Sequence, residues 1–334
     1  MMIKNKNILA LCTTAFFNDR GCHTRILKIL KYMENENNRI DLISYSYGRD
    51  IEGYRIYRIK KLYKDFDPVG FHFLKILFDI QIFFKAVKMF REKDYDYILS
   101  FTHEAGIISL LLKFLYGKEY ILDYQGSLYS EISTSNFIFK IPPISFLIIL
   151  IERLVEKYSF AIIYNTNFSF SKSKKIKKYF IDDQITLENE VREKPFIFPS
   201  KKKIIWVGVN TKVQNLSAFL KIAENIVKKK DVVFYIITFP VDKLIKERFK
   251  NYKDKIIFLE KVPYEELPYY LKNADICIST KLDSSEGSGK LHLYKKFCKN
   301  VLSLDSKISR EILEKKEIVE NLEVMEKKIL ELVE

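Results

Sequence analysis

Ten glycines and eight prolines in 334 residues, with no low-complexity tract and no self-similar period, exclude a disordered chain and a solenoid. Cysteine is scarce too. Cys12, Cys22, Cys277 and Cys298 form no CxxC pair and two of them fall in predicted strands, so neither a metal cluster nor a disulfide framework is indicated. Such thiols fit a reducing cytosol. No apolar run approaches the roughly 20 residues that a membrane span needs. The stretch Ile144 to Ile151 is opened by Pro142-Pro143 and closed by Glu152-Arg153. The apolar part of the N-terminal strand, Ile8 to Cys12, is too short for a signal-peptide core, so secretion is not expected.

What is abundant is apolar and positive. With 48% hydrophobic residues the chain can fill two cores, and its length suits two domains of roughly 150 residues each. The net charge is +14, in a sequence rich in Lys, Ile, Asn and Tyr. The cluster Lys172, Lys174, Lys175, Lys177 and Lys178 and the run Lys201 to Lys203 suit either anionic lipid headgroups or a solvated face and a charged linker. No helix-turn-helix, RNA-binding or zinc signature accompanies them, so no nucleic-acid partner is expected.

Short apolar runs alternate with longer amphipathic ones, the pattern of a parallel sheet with crossover helices and hence of the α/β class. Strands are predicted at Asn7 to Cys12, Ile40 to Tyr45, Arg55 to Ile59, Tyr97 to Phe101, Tyr120 to Tyr124 and Ala161 to Tyr164. Helices are predicted at Cys22 to Asn35, Phe71 to Arg91, Gly106 to Tyr116 and Ile144 to Tyr158. A second series starts at Lys203 to Gly208 and continues through Val232 to Thr238, Ile256 to Leu259, Ile276 to Ser279 and Val301 to Leu304, ending in a helix over Val319 to Leu332. The polar segment between the series places the domains at 1–190 and 203–334, joined by a linker at 191–202. Phe71 to Phe90 interleaves lysines among Phe, Leu and Ile, which fits a helix lying on a core or on a membrane surface.

The segment Ser284-Ser285-Glu286-Gly287-Ser288-Gly289-Lys290-Leu291 follows a predicted strand and precedes a predicted helix. Two glycines one residue apart let backbone N–H groups approach a phosphate, the helix N-terminus adds about half a positive charge, and Glu286 can accept from hydroxyls. That combination suits a sugar nucleotide, although GxG also occurs in ordinary strand-to-helix turns. His103, after a predicted strand, reads either as a site residue or as a loop histidine bonded to backbone. His23 and His72 read as helix-surface residues.

The run from Glu286-Gly287-Ser288-Gly289-Lys290-Leu291 to Val301-Leu302-Ser303-Leu304-Asp305 resembles the EGSG-type donor loop, helix and strand of the family 4 retaining glycosyltransferases. Lys118-Glu119-Tyr120-Ile121-Leu122-Asp123-Tyr124-Gln125-Gly126 is similar to that family's GKPxxxDxHG segment, and Glu152-Arg153-Leu154 with Ala161 to Thr166 is similar to its ERL-containing helix and strand. The resemblance implies a GT-B fold, two doubly wound Rossmann-like domains facing across a cleft. It implies transfer of a sugar, with retention, from a nucleotide-sugar donor to a glycan or lipid-linked acceptor in polysaccharide biosynthesis. The first domain would hold the acceptor and the second the donor. Glu286 and His103 are the implied catalytic residues, and Gly21, Lys212, Gly287, Ser288, Gly289, Lys290 and Leu291 the implied donor-binding ones. No cofactor and no metal are expected. The implied location is cytoplasmic, at the inner face of an anionic membrane.

Four positions depart from the family pattern. Its second glutamate, which binds the donor ribose, falls at Leu293 or Tyr294; its basic pair after the first strand of the second domain falls at Val209 and Gln214; and its histidine beside glycine is Gln125. These departures keep open an alternative, a catalytically inactive GT-B-fold partner subunit of another glycosyltransferase.

Overall fold

The computed structural model describes residues 3–61, 72–167, 176–184, 198–239, 241–260 and 262–334. Most of the expected linker, 191–197, and Lys172, Lys174 and Lys175 lie outside them. The chain divides into two compact units, Met1–Asp182 with Ser285–Gly287, and Asp183–Ser284 with Ser288–Glu334.

The first unit is built on seven strands, β1 (Asn7–Cys12), β2 (Arg39–Ser44), β3 (Arg55–Arg58), β4 (Tyr97–Phe101), β5 (Glu119–Tyr124), β6 (Ala161–Tyr164) and β7 (Lys177–Phe180). Their order is β3-β2-β1-β4-β5-β6-β7 and every pairing is parallel. Five helices connect them: α1 (Gly21–Asn35), α2 (Phe73–Glu92), α3 (Thr102–Tyr116), α4 (Leu128–Ser135) and α5 (Pro142–Tyr158). In the second unit β8 (Lys202–Val207), β9 (Val232–Ile237), β10 (Ile256–Leu259), β11 (Ile276–Ser279), β12 (Val301–Leu304) and β13 (Ile318–Val319) form an all-parallel sheet of order β10-β9-β8-β11-β12-β13. Its helices are α6 (Leu216–Val227), α7 (Lys243–Arg248), α8 (Leu267–Lys272), α9 (Gly289–Phe297), α10 (Lys307–Ile312) and α11 (Leu322–Val333). The class is therefore α/β with two Rossmann-like sheets, as the alternating pattern predicts.

The central strands are largely apolar because helices cover both of their faces. All six residues of β9 are buried, as are Ile8 to Cys12 of β1. Amphipathic helices complete the cores: Ile26, Ile29, Leu30 and Met33 of α1 pack under one face of the first sheet, and Leu216, Phe219, Ile222, Ala223 and Ile226 of α6 under the second.

The α3 helix begins four residues earlier than the predicted Gly106, which lies inside it. A Cβ on Gly106 would stand 2.5 Å from Val155 Cγ1, so glycine is there to bring α3 close to α5. The predicted start of α3 thus misses a packing requirement that spacing alone does not carry. Both sheets have a switch point where the strand order reverses, between β1 and β4 in the first and between β8 and β11 in the second. Such points open a crevice at the carboxyl ends of the strands, the usual ligand position in doubly wound sheets.

Candidate functional site

In the second unit the loops leaving β8 and β11 meet at the switch point. Leu282 N donates to Val213 O at 2.8 Å. Thr280 Oγ1 lies 3.0 Å from both Gln214 O and Asn215 O and accepts the Trp206 indole N–H at 3.1 Å. Asn215, just before α6, has φ 53, a left-handed conformation that its short polar side chain tolerates. The two loops are therefore joined as one platform.

On this platform Lys290, in the first turn of α9, donates from Nζ to Gln214 Oε1 at 2.5 Å and lies 5.1 Å from the Trp206 ring centroid. Burial of its ammonium, with Lys281 adding repulsion, lowers its pKa to about 7. Lys281 is itself 1% exposed. Lys281 repels the Lys290 ammonium, and an anion bound at this end would relieve that repulsion. Ser288 precedes α9 without capping it, and its buried Oγ has no hydrogen-bond partner among the described residues. A buried hydroxyl left unpaired costs about 1–3 kcal/mol, which a ligand oxygen would recover. The nine-residue α9 directs its N-terminal N–H groups to the same end.

The other expected donor-side residues are placed as follows. Gly287 and Glu286 are half-buried in the loop before α9, Gly289 opens the helix, and Leu291 is fully buried in the core behind it. Lys212 is exposed on the β8 loop. Leu293 is buried, and so is Tyr294, whose hydroxyl accepts from Val207 N at 2.7 Å. Both side chains serve the core, and neither offers a ribose ligand. Lys281 was missed from the sequence because its significance comes only from enclosure beside Lys290. The Lys201 to Lys203 run is engaged in ion pairs, Lys201 with Asp231 and Lys202 and Lys203 with Asp275.

In the first unit Gly21 starts α1 facing open space; no heavy atom lies within 4 Å of where a Cβ would be. His23, expected on a helix surface, is instead fully buried. Its Nδ1 accepts from Asn18 N at 2.8 Å, so its proton sits on Nε2, 3.0 Å from Thr14 Oγ1. Burial, helped by Arg20, lowers its pKa to about 3. Two residues on, Arg25 forms a buried fork with Asp123 (Nε–Oδ1 2.9 Å, Nη2–Oδ1 2.6 Å) and gives Nη1 to Ile181 O at 2.6 Å. The other Asp123 oxygen accepts from Gln125 Nε2 at 2.7 Å. Asp123 thereby ties α1 to β5 and holds the loop after β5.

His103 stands in the first turn of α3, after Thr102, whose φ of 78 is rare for a β-branched residue. Thr102 Oγ1 is 3.0 Å from Thr13 Oγ1. The imidazole is buried and meets the Tyr124 ring edge-on at 4.8 Å, among the carboxylates of Glu152 and Glu156. It makes no backbone hydrogen bond among the described residues, which removes the simplest structural explanation for it.

Comparison with protein-family models and with curated protein sequences gives no match. Solved structures do match. Sucrose-phosphate synthase from Thermosynechococcus elongatus superposes with a TM-score of 0.73 at 11% identity, covering 98% of this chain and 90% of that one. Anabaena HepE in complex with UDP-glucose gives 0.69 at 11% identity, with the same coverage. WaaG, a glycosyltransferase involved in lipopolysaccharide biosynthesis, gives 0.69 at 10% identity, covering 97% of this chain and 90% of that one. With the two all-parallel sheets, these likenesses establish a GT-B fold.

Proposed function

We propose that the chain is a glycosyltransferase that takes a sugar from a nucleoside diphosphate donor to a glycan or lipid-linked acceptor. The observation that carries this reading is the Lys281–Lys290 pair beside the unpaired Ser288 hydroxyl and the α9 N-terminus. In the reaction the C1–O bond to the diphosphate breaks as a bond to the acceptor oxygen forms, and negative charge accumulates on the leaving group. Preorganised N–H donors and a cation stabilise such charge in a site already shielded from water. Lys290, Ser288 and the Gly289 N–H would hold the diphosphate, Lys212 would add an outer charge, and Glu286 would accept from donor hexose hydroxyls. Gly21 is proposed as a donor-binding residue on the resemblance alone. HepE was solved with UDP-glucose, so a UDP-sugar is the first donor to test.

Membership of family 4, with retention and a metal-independent transfer step, is proposed from the Glu286 to Asp305 run. The first domain, 1–190, would receive the acceptor and the second, 203–334, the donor. No helix among the described residues is long and apolar enough to cross a membrane. The layer formed by α2, α3 and α5, with the turn Phe137–Lys140 that leads into α5, nevertheless exposes large apolar side chains, Phe73, Phe84, Phe114, Phe137 and Phe146 among them. Lys88 and Lys140 are exposed along it, and the charge excess of +14 complements anionic lipid. This layer is proposed to rest on the inner face of an anionic membrane. Tyr294, tied to the core where a ribose carboxylate would stand, favours the inactive-subunit alternative.

A panel of UDP-, GDP- and other nucleotide sugars titrated against the purified chain tests the reading. One donor binding at micromolar concentration and turning over supports it. Turnover by the purified chain excludes the inactive subunit, and no binding below millimolar overturns the glycosyltransferase reading.

A further inference from the structure

The geometry points to a divalent-cation site inside the first unit, held by His103 of α3 and by Glu152 and Glu156 of α5. Each of the three side chains offers one donor atom, and these atoms all lie within 4.8 Å of one another. The glutamates are one helical turn apart and so project from the same face of α5. Gly106 lets α3 press against Val155, the residue just before Glu156, and this approach brings the imidazole to the carboxylates. Metal–donor distances of about 2.0–2.2 Å put tetrahedral donors about 3.3–3.6 Å apart, so the cluster needs to contract by up to about 1 Å, within reach of side-chain rotation.

A second observation is independent of the carboxylates. His103 is 3% exposed, yet its Nε2 has no hydrogen-bond partner among the described residues. Buried imidazoles normally hydrogen-bond, and one without a partner carries an unrecovered desolvation cost. Two carboxylates balance the charge of a divalent ion.

The surroundings hold these groups in place. Glu152 accepts from Ser127 Oγ and Tyr129 N, each at 3.0 Å, and from Tyr124 O–H at 3.4 Å. The Tyr124 ring also backs the imidazole, so one residue orients both an acid and the base. One nitrogen and two carboxylate oxygens favour Mn2+, Fe2+, Co2+ or Zn2+ over Ca2+, which prefers oxygen alone. The bound ion would cross-link α3 to α5 and, through Glu152, fix the start of α4.

The site does not depend on the donor reading, because it can be loaded with no nucleotide present. The test uses the full chain, stripped with chelator and titrated with Co2+ while visible absorption is followed. One equivalent is expected to bind, with d–d bands and no thiolate charge-transfer band, and to raise the melting temperature. His103→Gln and Glu156→Gln should each weaken Co2+ binding at least about tenfold. Glu156 is half-buried on a helix, so its variant stays informative if His103→Gln fails to fold by circular dichroism. No binding below millimolar Co2+, a thiolate band, or unchanged affinity in Glu156→Gln would each overturn the site.

Discussion

Lys290 donates its Nζ hydrogen to Gln214 Oε1 at 2.5 Å, so a glutamine standing where the resemblance puts a basic residue is the acceptor that aims a lysine from another loop. The cation is supplied by α9 and positioned by the β8 loop. Gly208 shares in this: a Cβ there would come within 2.9 Å of Trp206 Cη2 and 3.4 Å of Gln214 Oε1.

The lowered pKa of Lys290, about 7, gives donor binding a pH dependence. A diphosphate favours the ammonium form and raises that pKa, so binding takes up a proton above pH 7. Affinity should fall by up to about tenfold per unit as pH rises from 7 to 9. Titration calorimetry in buffers of different ionisation enthalpy would register the uptake, and Lys290→Met should abolish it.

Asp123 carries a structural load that its sequence context does not announce. Asp123→Asn removes the charge with which Arg25, buried beside it, is paired, and loss of one partner of a buried pair costs about 3–5 kcal/mol. Urea unfolding should show a drop of that size, far beyond the effect of breaking an exposed pair such as Arg248–Glu224.

His23 makes the first unit acid-sensitive. Its folded pKa lies near 3, below the usual 6.5, so between those values the unfolded chain binds a proton that the folded chain refuses. Stability from this group is full above pH 6.5 and declines by up to about 1.4 kcal/mol per unit as pH falls toward 3. Comparing denaturation midpoints at pH 7.5 and 5 for wild type and His23→Gln should show a shallower pH slope in the variant.

Lipid contact by the α2–α3–α5 layer has a simple readout. The chain should sediment with vesicles containing phosphatidylglycerol more than with neutral ones, and less so at high salt. Phe84 and Phe146 are 63% and 67% exposed, so Phe84→Asp with Phe146→Asp should reduce binding without loss of fold. Equal sedimentation of variant and wild type would place the contact elsewhere.

The strands were the most legible part of the fold, because a two-sided buried strand such as Ile276–Ser279 is a continuous apolar run. The polar strand β7, with Lys177 and Lys178, and the two-residue β13 lack that signal and were not foreseen, nor were α4 and α10. The Glu286 to Leu291 loop could be recognised because its chemistry lies in consecutive residues. Lys281 with Lys290, Gln214 as a lysine acceptor, and Asp123 with Arg25 all join residues far apart in the chain. His23 was misplaced because its burial follows from the course of the loop before α1, with Asn18 folding back onto its ring.

The central claim is that the second unit binds a diphosphate through Lys290 and its neighbours. The direct measurement is the dissociation constant of the preferred nucleotide sugar, and of its nucleoside diphosphate alone, for wild type and Lys290→Met. Both ligands should bind the wild type and lose about 10- to 100-fold in the variant, in keeping with loss of a charge-assisted hydrogen bond of about 1.5–3 kcal/mol. Equal affinity of the two proteins for both ligands would contradict the assignment.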